Sequence, residues 1–340
     1  AELFQSSEVE GVLKRSTPLA HVTMLVETAE GSTELAWALA LVNGVVARKK
    51  HALHFVGYGG LRALVEVAIF HSFAAGEKDA ADDMRPEGVV SAAHPVLGPV
   101  IAALEAIMQY PAEVAKQLED DAGCTALLGL LETPVSGKAV VLALQVLSHL
   151  ADSPAATRIL DSGGIYQLSY AWKNTRNTDG EFDAAKHLWT GRALVNLAWR
   201  ARFSSHQRTT FQSLAMVVEQ GGLPAWIENA RLNRGADAEG AEFRKRALWA
   251  IGSWLSVEHT DAKVKFVMSG GLEPLLEVTE ANSTVEDLTC SEIALGKILC
   301  AAGHTLRHRI EMLQLEMQAS KTDEAREKLW SRIADNFLSQ

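Results

Sequence analysis

Cys300, His304 and His308 stand four residues apart. On one helix that spacing sets all three along a single stripe. Thiolate and imidazole are ligands that zinc accepts. Gly303 interrupts the stretch, and no second cluster completes a tetrahedral set. A buried thiol beside two surface histidines is therefore the simpler reading. His51 and His54 lie beside Lys49 and Lys50 and read as the basic face of a short helix. Asp82-Asp83 and Asp120-Asp121 are paired carboxylates in loops, with no neighbour that would split their pKa values for acid–base work. The chain has no G-x-x-x-x-G-K-S/T loop, no G-x-G-x-x-G, no G-x-S-x-G elbow and no H-E-x-x-H. "CTALLGLL" around Cys124 is an apolar helix, not an activated thiol. No enzyme, metal or cofactor is expected.

The bulk composition points the same way. The chain has 340 residues, of which 48% are hydrophobic and only 6% aromatic, which suits a large helical core. Its net charge of −10 argues against a nucleic-acid partner, which needs a basic surface to neutralise phosphates. Three cysteines make no disulfide framework. No charge-free run of about eighteen apolar residues is present, so no membrane span is expected. The acidic start "AELFQSSEVE" resembles neither a secretory signal nor a transit peptide. Its missing Met fits a processed mature chain or a trimmed one equally.

What could position side chains is a recurring phrase: "VGYGGLRALVEV", "LDSGGIYQLSYA", "VEQGGLPAWIEN" and "VMSGGLEPLLEV", with a weaker copy in "EDDAGCTALLGL". The second glycine of each is Gly60, Gly164, Gly222, Gly271 and, in the weak copy, Gly123. The shortest interval is 41 residues. Longer intervals hold insertions at 74–95, 173–183 and 233–240, rich in Gly, Asp and Asn, which read as surface loops. A short amphipathic helix precedes each dyad, and glycine permits the left-handed turn that closes it. A second helix follows with apolar residues one, four and mostly five places after the dyad. Pro224 and Pro274 sit in its first turn. "STVE" from Ser283 to Glu286 reads as a capping box before a third helix. The third helices, such as "TGRALVNLAWR" and "RALWAIGSWLS", alternate small with large apolar residues and suit close packing. One such unit cannot bury its own apolar face, so neighbours must stack.

The Gly-Gly-apolar turn, the three helices and "RALVNLAW" resemble the armadillo repeat. The resemblance implies an all-α, right-handed armadillo-like α-solenoid of about six three-helix repeats. Residues 1–17 would form an N-terminal extension. Residues 18–303 would form the array, with units near 18–59, 60–122, 123–163, 164–221, 222–270 and 271–303. Residues 304–340 read as a C-terminal helical cap.

Nuclear-import adaptors of that family carry a Trp-x-x-x-Asn pair on successive third helices. Mapped by register, the Asn positions hold Asn43, Gln109, His149, Asn196, Ser253 and Lys297. The Trp positions hold Leu39, Glu105, Gln145, Arg192, Trp249 and Ile293. No unit has both residues, and Arg192 and Lys297 would repel a basic peptide. A divergent groove would bind a partner through Asn43, Gln109, His149, Arg192, Asn196, Trp249 and Ser253. Of the tryptophans, Trp37, Trp189, Trp199, Trp249 and Trp254 are expected mostly in the core. Trp172, Trp226 and Trp330 are candidate interface anchors.

The expectation is a non-catalytic scaffold, a structural subunit that binds other protein subunits and does not itself span a membrane. Its size, alanine content and divergent repeats look like the armadillo-type peripheral-stalk subunit of mitochondrial ATP synthase in chlorophycean green algae. That likeness implies a mitochondrial location; a cytoplasmic one is the alternative. The alternative function is an adaptor holding peptide segments in the groove.

Overall fold

The structure is a computed structural model. It describes residues 17–28, 32–79, 96–118, 121–133, 137–175, 182–202, 207–232, 238–257, 266, 269–277 and 294. All regular elements among these residues are α-helices. In chain order they are α1 (Thr17–Thr28), α2 (Ser32–Val46), α3 (Lys49–Gly57), α4 (Gly60–Asp79) and α5 (Leu97–Met108). Next come α6 (Pro111–Gln117), α7 (Asp121–Leu131), α8 (Gly137–Ala151), α9 (Ala156–Asp161) and α10 (Gly164–Lys173). The last five are α11 (Ala184–Ala201), α12 (Gln207–Glu219), α13 (Leu223–Leu232), α14 (Ala238–Val257) and α15 (Leu272–Glu277). The chain divides into two compact units, residues 1–193 and 194–340, with the boundary inside α11.

Each dyad uses its two glycines for different physical reasons. The first takes the left-handed conformation: φ is +81° at Gly59, +73° at Gly163, +95° at Gly221 and +76° at Gly270. A Cβ there is strained. The second glycine opens the next helix against the last turn of the previous one. A Cβ on Gly222 would lie 2.5 Å from Val217 Cγ1, and one on Gly164 would lie 2.8 Å from the Ile159 carbonyl oxygen. The same clash recurs between Gly60 and Phe55 and between Gly271 and Phe266, always five residues apart. The hydrogen bonds match a Schellman close: Gly222 N–H donates to Val217 O at 2.8 Å and Gly221 N–H to Val218 O at 3.1 Å. The weak copy keeps half of this. Gly123 still lies against Leu118, but it sits inside α7 and makes no left-handed turn.

After the dyad the expected burial holds. Leu61, Leu64 and Val65 are fully buried, as are Ile165 and Leu168. Each such side chain contributes about 1.5–3 kcal/mol by leaving water.

In residues 1–193 like helices stack on like. Helices α1, α4, α7 and α10 pack in succession, α2, α5 and α8 form a second row, and α3 lies on α6. Gly129 of α7 faces Ile69 of α4, where a Cβ would be 3.1 Å from its Cδ1. Buried Ala38, Ala103 and Ala143 line the row of third helices. This unit is an all-α solenoid of three-helix repeats. The second unit repeats the order of helices: α12 and α13 pack on α14, and α15 packs on α13. There Arg231 reaches from α13 to the carbonyl of Gly270, with Nη2 donating at 3.0 Å.

The insertions differ from the expected loops at their edges. Helix α4 runs on to Asp79, so 74–79 is helix, and α14 begins at Ala238. Alanine, Glu77 and Lys78 are strong helix formers and carry the helix past Gly76. The 173–183 insertion is pinned at its neck. Asp183 N–H donates to Thr175 O at 2.7 Å, and Asp183 Oδ1 accepts from the Lys186 backbone N–H at 2.9 Å, capping α11. The capping box at Ser283–Glu286 lies outside the described residues, as does nearly all of the last repeat and its cap.

Candidate functional site

The stripe of Cys300, His304 and His308 lies outside the described residues. Among those described, no group of three His, Cys, Asp or Glu could hold a metal ion. On α3, His54 is exposed and Lys49 is bonded across to Glu113 on α6 at 2.6 Å. The hydrogen bond from Lys49 holds the Glu113 carboxyl below its ordinary value. No single helix among the described residues is long and apolar enough to cross a membrane.

In residues 1–193 most positions mapped to the groove are occupied by the fold itself. Leu39 is fully buried and cannot line a groove. Asn43 Nδ2 donates to Leu39 O at 2.9 Å and to Pro99 O at 3.1 Å, which ties α2 to α5. Glu105 is paired with Lys138 at 2.6 Å. Arg192 is buried, its guanidinium 4.8 Å from the Trp189 ring. Gln109, at the C-cap of α5, and His149, on α8, are exposed.

The second unit brings two of its mapped positions, Asn196 and Trp249, into one cluster. Asn196 is buried on α11, and its Oδ1 accepts from Arg246 Nη1 at 2.8 Å. Trp199, one helical turn on, meets Trp249 of α14 edge to face, with centroids 5.5 Å apart. The Arg202 guanidinium lies 4.4 Å from the Trp199 ring, Arg246 lies at 5.7 Å and the Lys245 ammonium at 5.9 Å. Glu242 accepts from Lys245 at 2.8 Å and from Arg246 at 3.1 Å. Burial pushes the Glu242 carboxyl up, but these two hydrogen bonds and the two positive charges outweigh it and hold it below its ordinary value. Ser253 is half-buried further along α14. Lys297 and Ile293 fall outside the described residues.

One of the three proposed anchors changes role. Trp226 is fully buried, and its Nε1–H donates to Leu194 O at 3.2 Å, so it is a core residue. It stands four places after its dyad, a position buried in every other described copy. Trp172 is half-buried and stacked on His187 at 4.8 Å, with Phe182 on that imidazole at 5.1 Å. Together these rings clasp the neck of the 173–183 insertion. Lys186 joins the clasp, its Nζ donating to Asn174 O at 3.0 Å. Burial holds its ammonium below the ordinary value, against the pull of Asp183. Trp330 lies outside the described residues.

Sequence reasoning missed the exposed apolar side chains. Trp37, expected in the core, is 70% exposed, and Phe70 is equally so. Tyr166 and Tyr170 are exposed and stacked on each other at 6.5 Å, and Phe182 is exposed as well. Register was the available signal. Tyr166 and Tyr170 stand two and six places after their dyad, off the buried stripe. Trp199 and Trp254 are buried as expected, while Trp189 and Trp249 are half-buried.

No family model matches this chain, and no curated protein matches it. Among solved structures it is similar to computationally designed armadillo repeat proteins for modular peptide recognition. The TM-score there is 0.49 at 16% identity, covering 82% of this chain and 99% of that one. A designed armadillo repeat protein in complex with the peptide (KR)4 gives a TM-score of 0.45 at 16% identity, with the same two coverages. An engineered protein gives 0.47 at 21% identity, covering 84% of this chain and 98% of that one.

Proposed function

We propose that this chain is a non-catalytic helical-repeat scaffold, a structural subunit that binds other proteins in a larger assembly. The observation that carries this reading is the set of exposed large apolar side chains on well-formed helices. Trp37 projects from a third helix, Phe70, Tyr166 and Tyr170 from second helices, and Phe182 from the neck of an insertion. Exposed aromatic rings mark surfaces that partners cover. The assembly to test first is the peripheral stalk of mitochondrial ATP synthase. What supports that choice is the resemblance in size, alanine content and divergent repeats. The experiment is the native size of the protein in gently solubilised cell and organelle fractions, with mass spectrometry of what co-migrates. The expected result is a stoichiometric complex of several subunits, reduced when Trp37 and Phe70 are both changed to Ser. A protein that runs at its own 36.8 kDa overturns the reading.

A second reading is an adaptor that holds peptide segments along its third helices. The mapped third-helix positions that stay open, exposed Gln109 and His149 and half-buried Trp249 and Ser253, favour it.

A further inference from the structure

We infer that the exposed face of the second helices in residues 1–193 docks an arginine-bearing segment of a partner protein. The inference rests on the scaffold reading and names the chemistry of its partner. The face is built by α4, α7 and α10, which pack in succession. On α4, Glu66 and Phe70 are exposed and one turn apart. On α7, Thr125 and Gly129 lead to Glu132 just past the helix end, at i, i+4 and i+7. On α10, Tyr166, Tyr170 and Lys173 repeat that spacing, and all three are exposed. Three contacts set the relative heights of these helices. Gly129 lies against Ile69, Gly164 lies against Leu128, and Thr125 Oγ1 is 3.4 Å from Ser162 Oγ. Phe70, Gly129 and Tyr166 therefore stand within about one helical turn of the same level. The middle helix carries no side chain at that level, while its neighbours carry a phenyl ring and two phenol rings. A shallow trough with aromatic walls and a glycine floor follows.

Charge selects the occupant. Among the described side chains on or beside this face, Glu27, Glu66, Glu132 and Asp161 stand against Arg62 and Lys173. Arg62 is engaged by Glu27 at 3.0 Å and by Glu66 at 3.6 Å. Four carboxylates to two cations leave the face negative, the sign of the whole chain at −10. A second copy would meet its own sign there, whereas a basic segment is drawn in. Among cations, arginine fits the rings. Its planar guanidinium stacks on an aromatic face while its edge pairs with a carboxylate. Tyr166 and Tyr170 are 61% and 56% exposed although stacked on each other at 6.5 Å. Phe70 is met edge-on by His71 at 5.3 Å and stays exposed as well. Glu132, one turn beyond Gly129, is the carboxylate placed for the guanidinium edge. No third-helix position takes part, so this site is separate from the mapped groove.

The test is a titration of the full chain with three labelled peptides of equal length, carrying Arg, Gln or Glu at the same positions between Gly and Ser. Fluorescence anisotropy and calorimetry are the readouts. The Arg peptide is expected to bind selectively, and more weakly as salt rises. Tyr166→Ser combined with Tyr170→Ser is expected to weaken it roughly tenfold, and Glu132→Gln roughly threefold. These side chains are exposed, so the variants are expected to keep the far-UV circular dichroism of the native chain. Glu219→Gln, which removes an exposed carboxylate from α12 in the other unit, is expected to change nothing. Tighter binding of the Gln or Glu peptide, or binding of none, overturns the proposal. Equal weakening by Glu219→Gln means unspecific attraction to an acidic chain and overturns it too. So does binding of the Arg peptide that survives the double tyrosine variant, because it then lies elsewhere on the chain. A concentration-dependent dimer lost in that variant makes a second copy the occupant and overturns the basic assignment. None of these outcomes decides the scaffold reading, which stands or falls on the native size of the complex.

Discussion

At the scale of single residues, tryptophan shows how little a side chain's type says about its role. Trp226 and Trp37 have the same chemistry and opposite surroundings. Trp226 fills a core position and donates to the Leu194 carbonyl, whereas Trp37 is 70% exposed. Trp226→Ala is expected to cost about 3–5 kcal/mol, through the lost packing and the cavity left behind. Trp37→Ala is expected to stay within about 0.5 kcal/mol, as for surface changes away from special features. Urea unfolding of the two variants checks both, and a larger loss at Trp37 would reverse the assignment. Asparagine shows the same dependence. Asn43 and Asn196 both read as polar groove positions, yet each is bonded to the fold. Their partners, Pro99 and Arg246, lie 56 and 50 residues away in the chain.

At the scale of elements, the glycine dyad is the device that makes one helix follow another. Its two members should fail differently. Gly163 has open space around it but a φ of +73°, so Gly163→Ala is expected to cost about 1–2 kcal/mol through backbone strain. Gly163→Asn should recover part of that, since Asn visits the left-handed region more readily. Gly164 has an ordinary φ but no room, with Ile159 and Leu128 both against it. Gly164→Ala is expected to cost about 1–3 kcal/mol through overpacking, and Gly164→Asn more than Ala. Thermal melts of the four variants give the test. The telling result is the opposite sign of the Ala-to-Asn change at the two positions. Five residues separate the second glycine from the side chain it meets, so this logic is local and was open to reading from the chain. The reach of α4 to Asp79 was less so, because Gly76 and the acidic residues around it look like a loop while their neighbours favour helix.

At the scale of the whole molecule, repeats that pack mainly on their neighbours unfold with limited cooperativity. Tryptophan is spread unevenly, with Trp37, Trp172 and Trp189 in residues 1–193 and Trp199, Trp226, Trp249, Trp254 and Trp330 in 194–340. Fluorescence therefore weights the second unit, and far-UV circular dichroism weights helix wherever it occurs. The expected outcome is two urea transitions that do not coincide, the signature of departure from two-state behaviour. Coincident curves would mean that the units unfold together.

The sequence by itself determined the repeat, the dyad turns and the buried stripe of the second helices. Each of these depends on backbone freedom at glycine or on the helical period, and both act within a few residues. Tertiary structure decided which polar side chains of the third helices remain open to a partner. Neighbouring repeats cover most of a third helix, and the side chains that reach it come from some fifty residues away. So Asn43 became a tie between helices. Trp226 entered the core, although its place after the dyad already pointed there. Arg202, Lys245 and Arg246 met around Trp199 because α11 and α14 bring them there, at positions the repeat register does not single out.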